Sequence, residues 1–583
     1  MLSFSIIYFL HTIWAFLKGV NYSYATTQDF INNLILGICI NLLIGFSLRG
    51  LIKNRKIRAS FFFVFIFVLV MALRYRYRSL ASIDMAVVFD NFDLALNSNG
   101  ASVVFSKFKA KDFFISGIVA LIFSIVELKS KKTIKRHFRY SVISLLAYLS
   151  FVNYNVVYSD ELSKLFSSSL NYFKSNSFDN QKYKEHLETG SRKTNVSSLF
   201  KSRPDIYVIL LESFNGQYLN KLTDDGKEVT PVMNKLYKKY SGIKNYYSPT
   251  VQTIRAQYSV LCSKVPRLRG KVSYALDKYK FNCLPKLMRG MGYQTFFYQS
   301  FKDMSFDNTQ EFAEKIGFEF IESPDLSKLD QEIKSEGIWG WGLQDNLSYR
   351  LFLDRSAGLG QENNKPMFSM MSTISHHVGF DIPSRLNKLH KSPKGRKEKF
   401  ENSLHLSDSY LKGILDIIEE RKLTDNSVFI ITADHSFPNG EHGNFSNELG
   451  AFEENFKVPF VIISNEKFKP MINQNLTYSH YDILPTVLEV AGAKGRFEAV
   501  GESLYTKSEN TVSPLVQPYD GGRFVFVNYP MKRTFVRATN KYYETILGTG
   551  GKEKPVSKNI DDYTGDALSF MFAELELVKK EVK

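Results

Sequence analysis

The first 160 residues are dominated by apolar runs that are too long, and alternate too little, for half-buried strands. Five follow one another, over residues 3–17, 30–48, 60–73, 113–128 and 141–158. A helix crossing a bilayer needs about 20 apolar residues, with roughly 17 as the lower limit. The second and fifth runs reach that length, and the other three must draw in flanking aromatic or polar residues. Five in succession, with no polar domain between them, predict a transmembrane bundle over residues 1–158. No Lys or Arg precedes the first run, so it lacks the basic region of a cleaved signal peptide and reads as a retained anchor.

Beyond the fifth run the pattern changes. Residues 159–203 are polar and rich in Ser, Lys and Asn, the composition of a linker. From Pro204 short apolar runs appear at 206–211, 294–298, 367–373, 428–432 and 460–463, each the length of a buried strand. Helix-like segments lie among them at 281–291, 403–421 and 482–491. Strands alternating with helices predict a mainly parallel α/β sheet covered on both faces. Its ligand is expected at the carboxyl ends of the strands. The expected domain covers 204–508. Residues 509–583 form its tail, with runs at 523–528 and 532–537 expected as an antiparallel hairpin on the sheet edge.

Charge gives the bundle a direction. Arg49, Lys53, Arg55, Lys56 and Arg58 follow the second run, and Lys129, Lys131, Lys132, Lys135, Arg136 and Arg139 the fourth. Loops rich in Lys and Arg stay in the cytoplasm, which puts everything after Tyr158 outside it. Arg74, Arg76 and Arg78 dissent, because they fall on the predicted outer side. Alternating with Tyr75 and Tyr77, they read as an interfacial belt or a solvated charge run. The whole chain carries 75 Lys and Arg against 58 Asp and Glu, a net charge of +17, and is 44% hydrophobic. That composition excludes a wholly disordered chain, a collagen and a small disulfide scaffold. Cytoplasmic loops and anionic lipid explain the basic excess without nucleic acid. Cys39 lies in the second run. Cys262 and Cys283 lie in the outer part, where oxidising conditions favour their pairing.

Three strand ends carry the candidate chemistry. The first ends in Glu212-Ser213, another in Ser375-His376-His377, and a third in Asp434-His435, with His442 eight residues after Asp434. Carboxylate oxygen and imidazole nitrogen are ligands for Zn²⁺, Mn²⁺ and similar ions. Thr253 follows a turn-prone Ser-Pro-Thr and heads a helix-like stretch, where its hydroxyl is either a cap or an activated nucleophile.

Taken together, several segments resemble the lipoteichoic acid synthase group of membrane phosphotransferases, in the sulfatase-like branch of the alkaline phosphatase superfamily. They are DIYVILLESFNG (205–216), the segment headed by Thr253, SHHVGF (375–380), ADHSFPNGEHG (433–443) and HYDILPTVLEVAG (480–492). The resemblance implies a sulfatase-like, doubly wound extracytoplasmic domain behind about five membrane helices. It implies one divalent metal, Mn²⁺ first and Zn²⁺ or Mg²⁺ as alternatives, held by Glu212, Thr253, Asp434 and His435. By the same resemblance Thr253 is the nucleophile, His377 contacts the substrate phosphate, and His442 lies across the metal loop. Trp341 and Asp345, in GWGLQDN, fall near the glycerol phosphate. Arg255 departs from the synthases, which tend to carry acidic residues after the threonine. It is similar to the basic residue of sulfatases, yet the Cys/Ser-x-Pro-x-Arg run of those enzymes is missing.

The implied reaction moves phosphoglycerol or phosphoethanolamine from phosphatidylglycerol or phosphatidylethanolamine to a glycan, lipid or polymer hydroxyl, through a phospho-threonine. The implied location is a bacterial inner membrane with the catalytic domain extracytoplasmic. Two other readings remain at this point. One is a hydrolase of the same scaffold with water as acceptor, and the other a catalytically dead lipid- or polymer-binding membrane protein.

Overall fold

The computed structural model describes residues 27–79, 83, 85–90, 110–129, 137, 139–146, 165, 168–169, 193–200, 203–240, 242–268, 270–278, 281–327, 329, 331, 337–508, 512–519, 522–536, 541–547 and 556–559. The chain divides into two compact units, Met1–Asn176 with Gly440–Leu449, and Ser177–Asn439 with Gly450–Lys583. The division falls inside the expected linker rather than at either of its ends.

In the first unit, helices α1 (Thr27–Leu51), α2 (Arg55–Ser79) and α3 (Ala110–Lys129) correspond to the second, third and fourth apolar runs. Among the described residues one stretch, Arg55–Tyr75, is long and apolar enough to cross a membrane. The first apolar run lies outside the described residues, and the fifth is described only over 141–146. Helix α3 is built inside out by the standards of a water-soluble helix. It buries Asp112, Ser116, Ala120, Ser124 and Glu127, while Phe114, Leu121, Ile122 and Val126 are exposed. Small and polar residues facing a neighbouring helix, with bulky apolar ones outward, is the pattern of helices that pack within lipid. Ala120 sits among Ile66, Leu69 and Leu73 of α2, and the Ser124 hydroxyl donates to the Ala59 carbonyl at 3.0 Å.

Both buried acids of α3 meet arginine. Arg58 Nε and Arg49 Nη2 reach Glu127 at 2.5 and 2.6 Å. Arg74 Nε reaches Asp112 at 2.9 Å. Arg74 is therefore neither a lipid belt nor a solvated charge. Helix α2 runs on through it, and the side chain neutralises a carboxylate that the sheltered interface would otherwise leave unpaired.

The second unit is the expected α/β sheet. Strands β1 (Asp205–Leu211), β2 (Gln294–Gln299), β3 (Phe320–Glu322), β4 (Met367–Ser372), β5 (Ser427–Ala433) and β6 (Phe460–Ile463) lie in the order β6-β5-β1-β4-β2-β3. All neighbours are parallel except β6, which pairs antiparallel with β5. The central strands are buried along their whole length, as continuous apolar runs require when helices cover both faces. The helices that matter for the site are α4 (Pro231–Tyr240), α5 (Thr253–Cys262), α6 (Leu284–Gly290), α7 (Asp345–Asn363), α8 (Arg396–Glu420) and α9 (Ile483–Val490). A disulfide joins Cys262, the last residue of α5, to Cys283, the N-cap of α6.

The two late apolar runs do pair as an antiparallel hairpin, over Arg523–Asn528 and Met531–Val536. They do not extend the main sheet. They are the second and third strands of a separate five-stranded antiparallel sheet. That sheet is tied on by a hydrogen bond from the Val516 amide to the Pro249 carbonyl, 2.7 Å, just ahead of the segment that carries Thr253.

Candidate metal centre and nucleophile

Register brings the strand ends together. In the parallel ladder Leu210 stands beside Ser372 and Leu211 beside Ala433, so β1, β4 and β5 stop at one level. Each therefore delivers its next residues to the same edge. The Thr373 hydroxyl accepts from the Glu212 amide at 2.9 Å, and the Asp434 amide donates to the Leu211 carbonyl at 3.0 Å.

Ligand atoms of Glu212, Asp434 and His435 lie within 4.8 Å of one another, and all three residues are buried. Ser213 holds the two carboxylates apart and in place. Its amide donates to Asp434 Oδ1 at 2.9 Å and its hydroxyl to Glu212 Oε1 at 2.6 Å. To do both, Ser213 adopts φ 54°, a left-handed conformation that strains a residue with a Cβ. The His435 amide also donates to Asp434 Oδ1, at 2.7 Å, and His435 Nδ1 lies 3.0 Å from the Ser436 carbonyl. That contact leaves Nε2 as the free imidazole nitrogen, 3.6 Å from Asp434 Oδ2.

Burial pushes the Glu212 carboxyl well above its ordinary range, and the nearby Asp434 carboxylate pushes it further. No Lys or Arg answers this pair among the described residues. Two carboxylates, one imidazole and one hydroxyl in a sheltered pocket make the donor set a divalent cation needs. The residues present thus fit the metal that the sequence implied.

Thr253 supplies the hydroxyl. It is the first residue of α5, whose N-cap is Gln252 and which has no side-chain cap bond. The hydroxyl is thus not spent on capping. It donates to Asp434 Oδ2 at 2.7 Å and is half-buried. Thr253 stands at the N-terminus of α5, the end of a helix that favours negative charge.

The remaining candidates divide. Trp341 lies against His377 with ring centroids 4.0 Å apart and the rings tilted by 38°, and meets Phe301 and Phe306 edge to face. Asp345 is fully buried. Its carboxylate accepts from the amides of Ile374 and Ser375 at 2.9 and 3.2 Å, and its own amide donates to the Ser375 hydroxyl at 3.0 Å. Instead of facing a substrate, it clamps the strand end that leads into His376 and His377. Burial raises its carboxyl to about 6. Arg255 is two residues from Thr253 and so on another side of the helix. Its buried guanidinium bonds the Gln252 side chain at 2.8 Å and the Arg267 carbonyl. Both contacts are to protein, not to an open anion site. His442 lies on Gly440–Leu449, the segment that groups with the helical unit.

In the sequence His376 stands out only as half of a strand-end histidine pair and His480 only as the head of a family-like segment, neither with a role of its own. Both are buried and held neutral, pushed down to about 3 by desolvation, and both feel His435. His376 Nδ1 lies 2.9 Å from the Ser403 hydroxyl.

Comparison with known proteins bears on the fold around this site. Residues 204–493 match the sulfatase family. A lipoteichoic acid synthase-like protein of Bacillus subtilis is 24% identical over 312 residues, 51% of this chain and 48% of that protein. The chain thus spans about half the length of the curated relatives it matches. The fold is shared with a lipoteichoic acid synthase of Listeria monocytogenes, at 16% identity and TM-score 0.54, covering 69% of this chain and 97% of that one. It is shared too with a lipooligosaccharide phosphoethanolamine transferase of Neisseria meningitidis, an integral membrane protein. There identity is 11% and the TM-score 0.52, covering 84% of this chain and 96% of that one.

Proposed function

We propose that the sulfatase-family domain in residues 204–493 is the catalytic part of a membrane-anchored, metal-dependent phosphotransferase. It takes a phosphoglycerol or phosphoethanolamine group from a phospholipid and gives it to a hydroxyl on an envelope glycan, lipid or polymer. The observation that carries this is the Thr253 hydroxyl 2.7 Å from Asp434 Oδ2, beside two buried carboxylates that have no cationic side chain between them.

A divalent ion, Mn²⁺ first among the candidates, would be held by Glu212, Asp434, His435 and the Thr253 oxygen, and would act as a Lewis acid toward phosphoryl oxygens. Asp434 orients the Thr253 hydroxyl and accepts its proton as the oxygen attacks phosphorus. The bond from phosphorus to the diacylglycerol oxygen breaks, and that oxygen leaves with the proton that Asp434 took up. The head group stays as a phosphodiester on Thr253. The N-terminus of α5 stabilises the charge on its oxygens. Trp341 fixes the ring of His377, which contacts the phosphate. An acceptor hydroxyl then repeats the displacement and frees Thr253. Helices with bulky apolar faces turned outward suit an enzyme whose donor lives in a bilayer, with five spans in the fullest form of this reading.

Intact-mass analysis of the full chain after incubation with phosphatidylglycerol or phosphatidylethanolamine tests the reading. An adduct of one head-group phosphate on Thr253, missing in Thr253→Ala, is expected, and its mass names the donor. Diacylglycerol release without any adduct on Thr253 would overturn the two-step scheme.

A further inference from the structure

The loop between the His377 strand end and helix α8 is strongly basic, together with the first turn of that helix. Residues 385–399 hold seven Lys and Arg and a single acid, Glu398. Five of the cations, Arg385, Lys388, Lys391, Lys394 and Lys397, recur every third residue and are exposed. A charge run on a flexible loop is ordinarily a solvated face, but this loop is held from beneath. Leu389 is buried, and the Asn402 side chain accepts from the Leu389 and His390 amides at 3.0 Å and donates to the His390 carbonyl at 2.8 Å. His390 Nε2 reaches the buried Glu401 at 2.7 Å. The Glu398 carboxylate accepts from the Lys394 amide at 2.6 Å. Among the described residues the ammonium groups of Lys388, Lys391, Lys394 and Lys397 pair with no carboxylate.

This platform adjoins the catalytic edge. The Arg396 guanidinium lies 5.8 Å from the Phe380 ring and 5.5 Å from the Phe437 ring. Phe380 is three residues beyond His377, and Phe437 two beyond His435. Lys399 bonds Asp381 at 2.5 Å. The unpaired lysines therefore stand beside the site, with no large apolar side chain exposed among them. That is the chemistry for resting on a surface of phosphates without inserting into it.

We infer that residues 385–399 are a docking platform for the anionic surface of the bilayer, bringing the donor's phosphate within reach of Thr253. The inference rests on the reading of a lipid donor, and deepens it. A bilayer fits better than a soluble anion, because the four lysines are spread over ten residues and so meet many phosphates rather than one.

The test uses the full chain in nanodiscs of neutral phosphatidylcholine, with or without about 30% phosphatidylglycerol. Acylation of Lys388, Lys391, Lys394 and Lys397 by a water-soluble amine reagent is followed by mass spectrometry. Anionic lipid should slow it by about threefold or more and added salt should restore it, with Lys469 as the unaffected control. Replacing the four lysines by Gln should lower turnover of a bilayer-embedded donor about tenfold, and leave turnover of a short-chain, water-soluble donor unchanged. Labelling that ignores anionic lipid, labelling slowed in neutral discs by an anionic oligosaccharide instead, or an equal loss on both donors would each overturn the platform. If wild-type protein turns over neither donor, the phosphotransferase reading falls, while the labelling still decides the docking.

Discussion

Two parts of this protein bury acids and treat them in opposite ways. In the helical unit Glu127 meets Arg49 and Arg58, and Asp112 meets Arg74. Each carboxylate sheltered from water has its countercharge in the chain. At the sheet edge that carries the candidate metal centre, Glu212 and Asp434 share a pocket with a hydroxyl, a serine and an imidazole, but no Lys or Arg pairs with them among the described residues. The rest of that domain can supply such partners, since Lys507 bonds Asp482 at 2.7 Å and Lys271 bonds Asp307 at 2.6 Å, both sheltered. Leaving two like charges together raises the energy of the folded chain, so the arrangement makes sense when the countercharge arrives from outside. The first region is completed by folding, and the second has the make-up of a site that a bound cation would complete.

The largest effects follow at the unfinished site. Thr253→Ala should lower turnover of a phospholipid donor by at least about 10³-fold while the domain still folds. Unchanged turnover would remove Thr253 from the chemistry. Glu212→Gln probes the contrast more directly. Metal content measured on the purified chain and turnover should both collapse, yet the chelated variant should melt no lower than chelated wild type, because a buried acid crowded by Asp434 has gone. A chelated melt several degrees lower would mean that the chain itself answers Glu212.

At the completed region the same kind of substitution should do the reverse. Glu127→Gln strands the buried Arg58 guanidinium, and removing one partner of a buried pair costs about 3–5 kcal/mol. Thermal unfolding of the helical signal in detergent should shift down accordingly, with no change in metal content. A melt within a degree of wild type would show that lipid or water already satisfies Arg58.

These contrasts also mark what the sequence disclosed. The central strands were legible because fully buried parallel strands are written as unbroken runs of Val, Ile, Leu, Phe and Met. The polar residues that close them were legible as strand ends. The three-residue β3 carries no such run. Helix α7 hides its period by burying Ser348 and Ser356 along with Tyr349, Phe352, Leu353 and Leu359. Ser213 was visible as the neighbour of Glu212, but its left-handed backbone and double bond to both acids are properties of the folded edge. Asp345 was read as touching substrate because it sits in a motif, whereas its oxygens are taken by the backbone it braces. Arg74 and Asp112 are 38 residues apart, and nothing local in either segment announces the pair.

The disulfide sharpens the comparison within the α/β unit, as a covalent tie on the helix that starts with Thr253. Its partners are separated by 21 positions, a loop length for which the constraint on the unfolded chain contributes about 3 kcal/mol. Cys283→Ala should lower the melting temperature of the α/β domain by several degrees under oxidising conditions. It should make no difference once wild type is fully reduced. If reduced and oxidised wild type melt together, the bond does not brace α5.

The smallest effect tests a third way of meeting a buried acid, with backbone amides. Asp408 of α8 accepts from the amides of Val232 and Met233 at the start of α4, both at 2.8 Å. Burial still raises its carboxyl from 3.8 to about 7, so desolvation outweighs the two amides. An acid raised in this way binds its proton more tightly when folded. Between about pH 4 and pH 7 the folded chain therefore holds a proton the unfolded chain has released. The stabilisation is complete below pH 4 and is lost as pH rises through 7, with a slope of at most about 1.4 kcal/mol per pH unit. His376 and His480, held neutral, act with the opposite sign as their unfolded rings titrate, so the wild-type curve alone blends the two. Asp408→Asn separates them. Its amide nitrogen cannot accept from both backbone donors, which lowers stability at every pH, but the histidine contribution is common to both proteins. The difference between variant and wild type, read from denaturant midpoints across pH 4–7, should narrow steadily as pH rises. A constant difference would mean that Asp408 is ionised in the folded chain throughout, and that its two amides do for it what arginine does for Glu127.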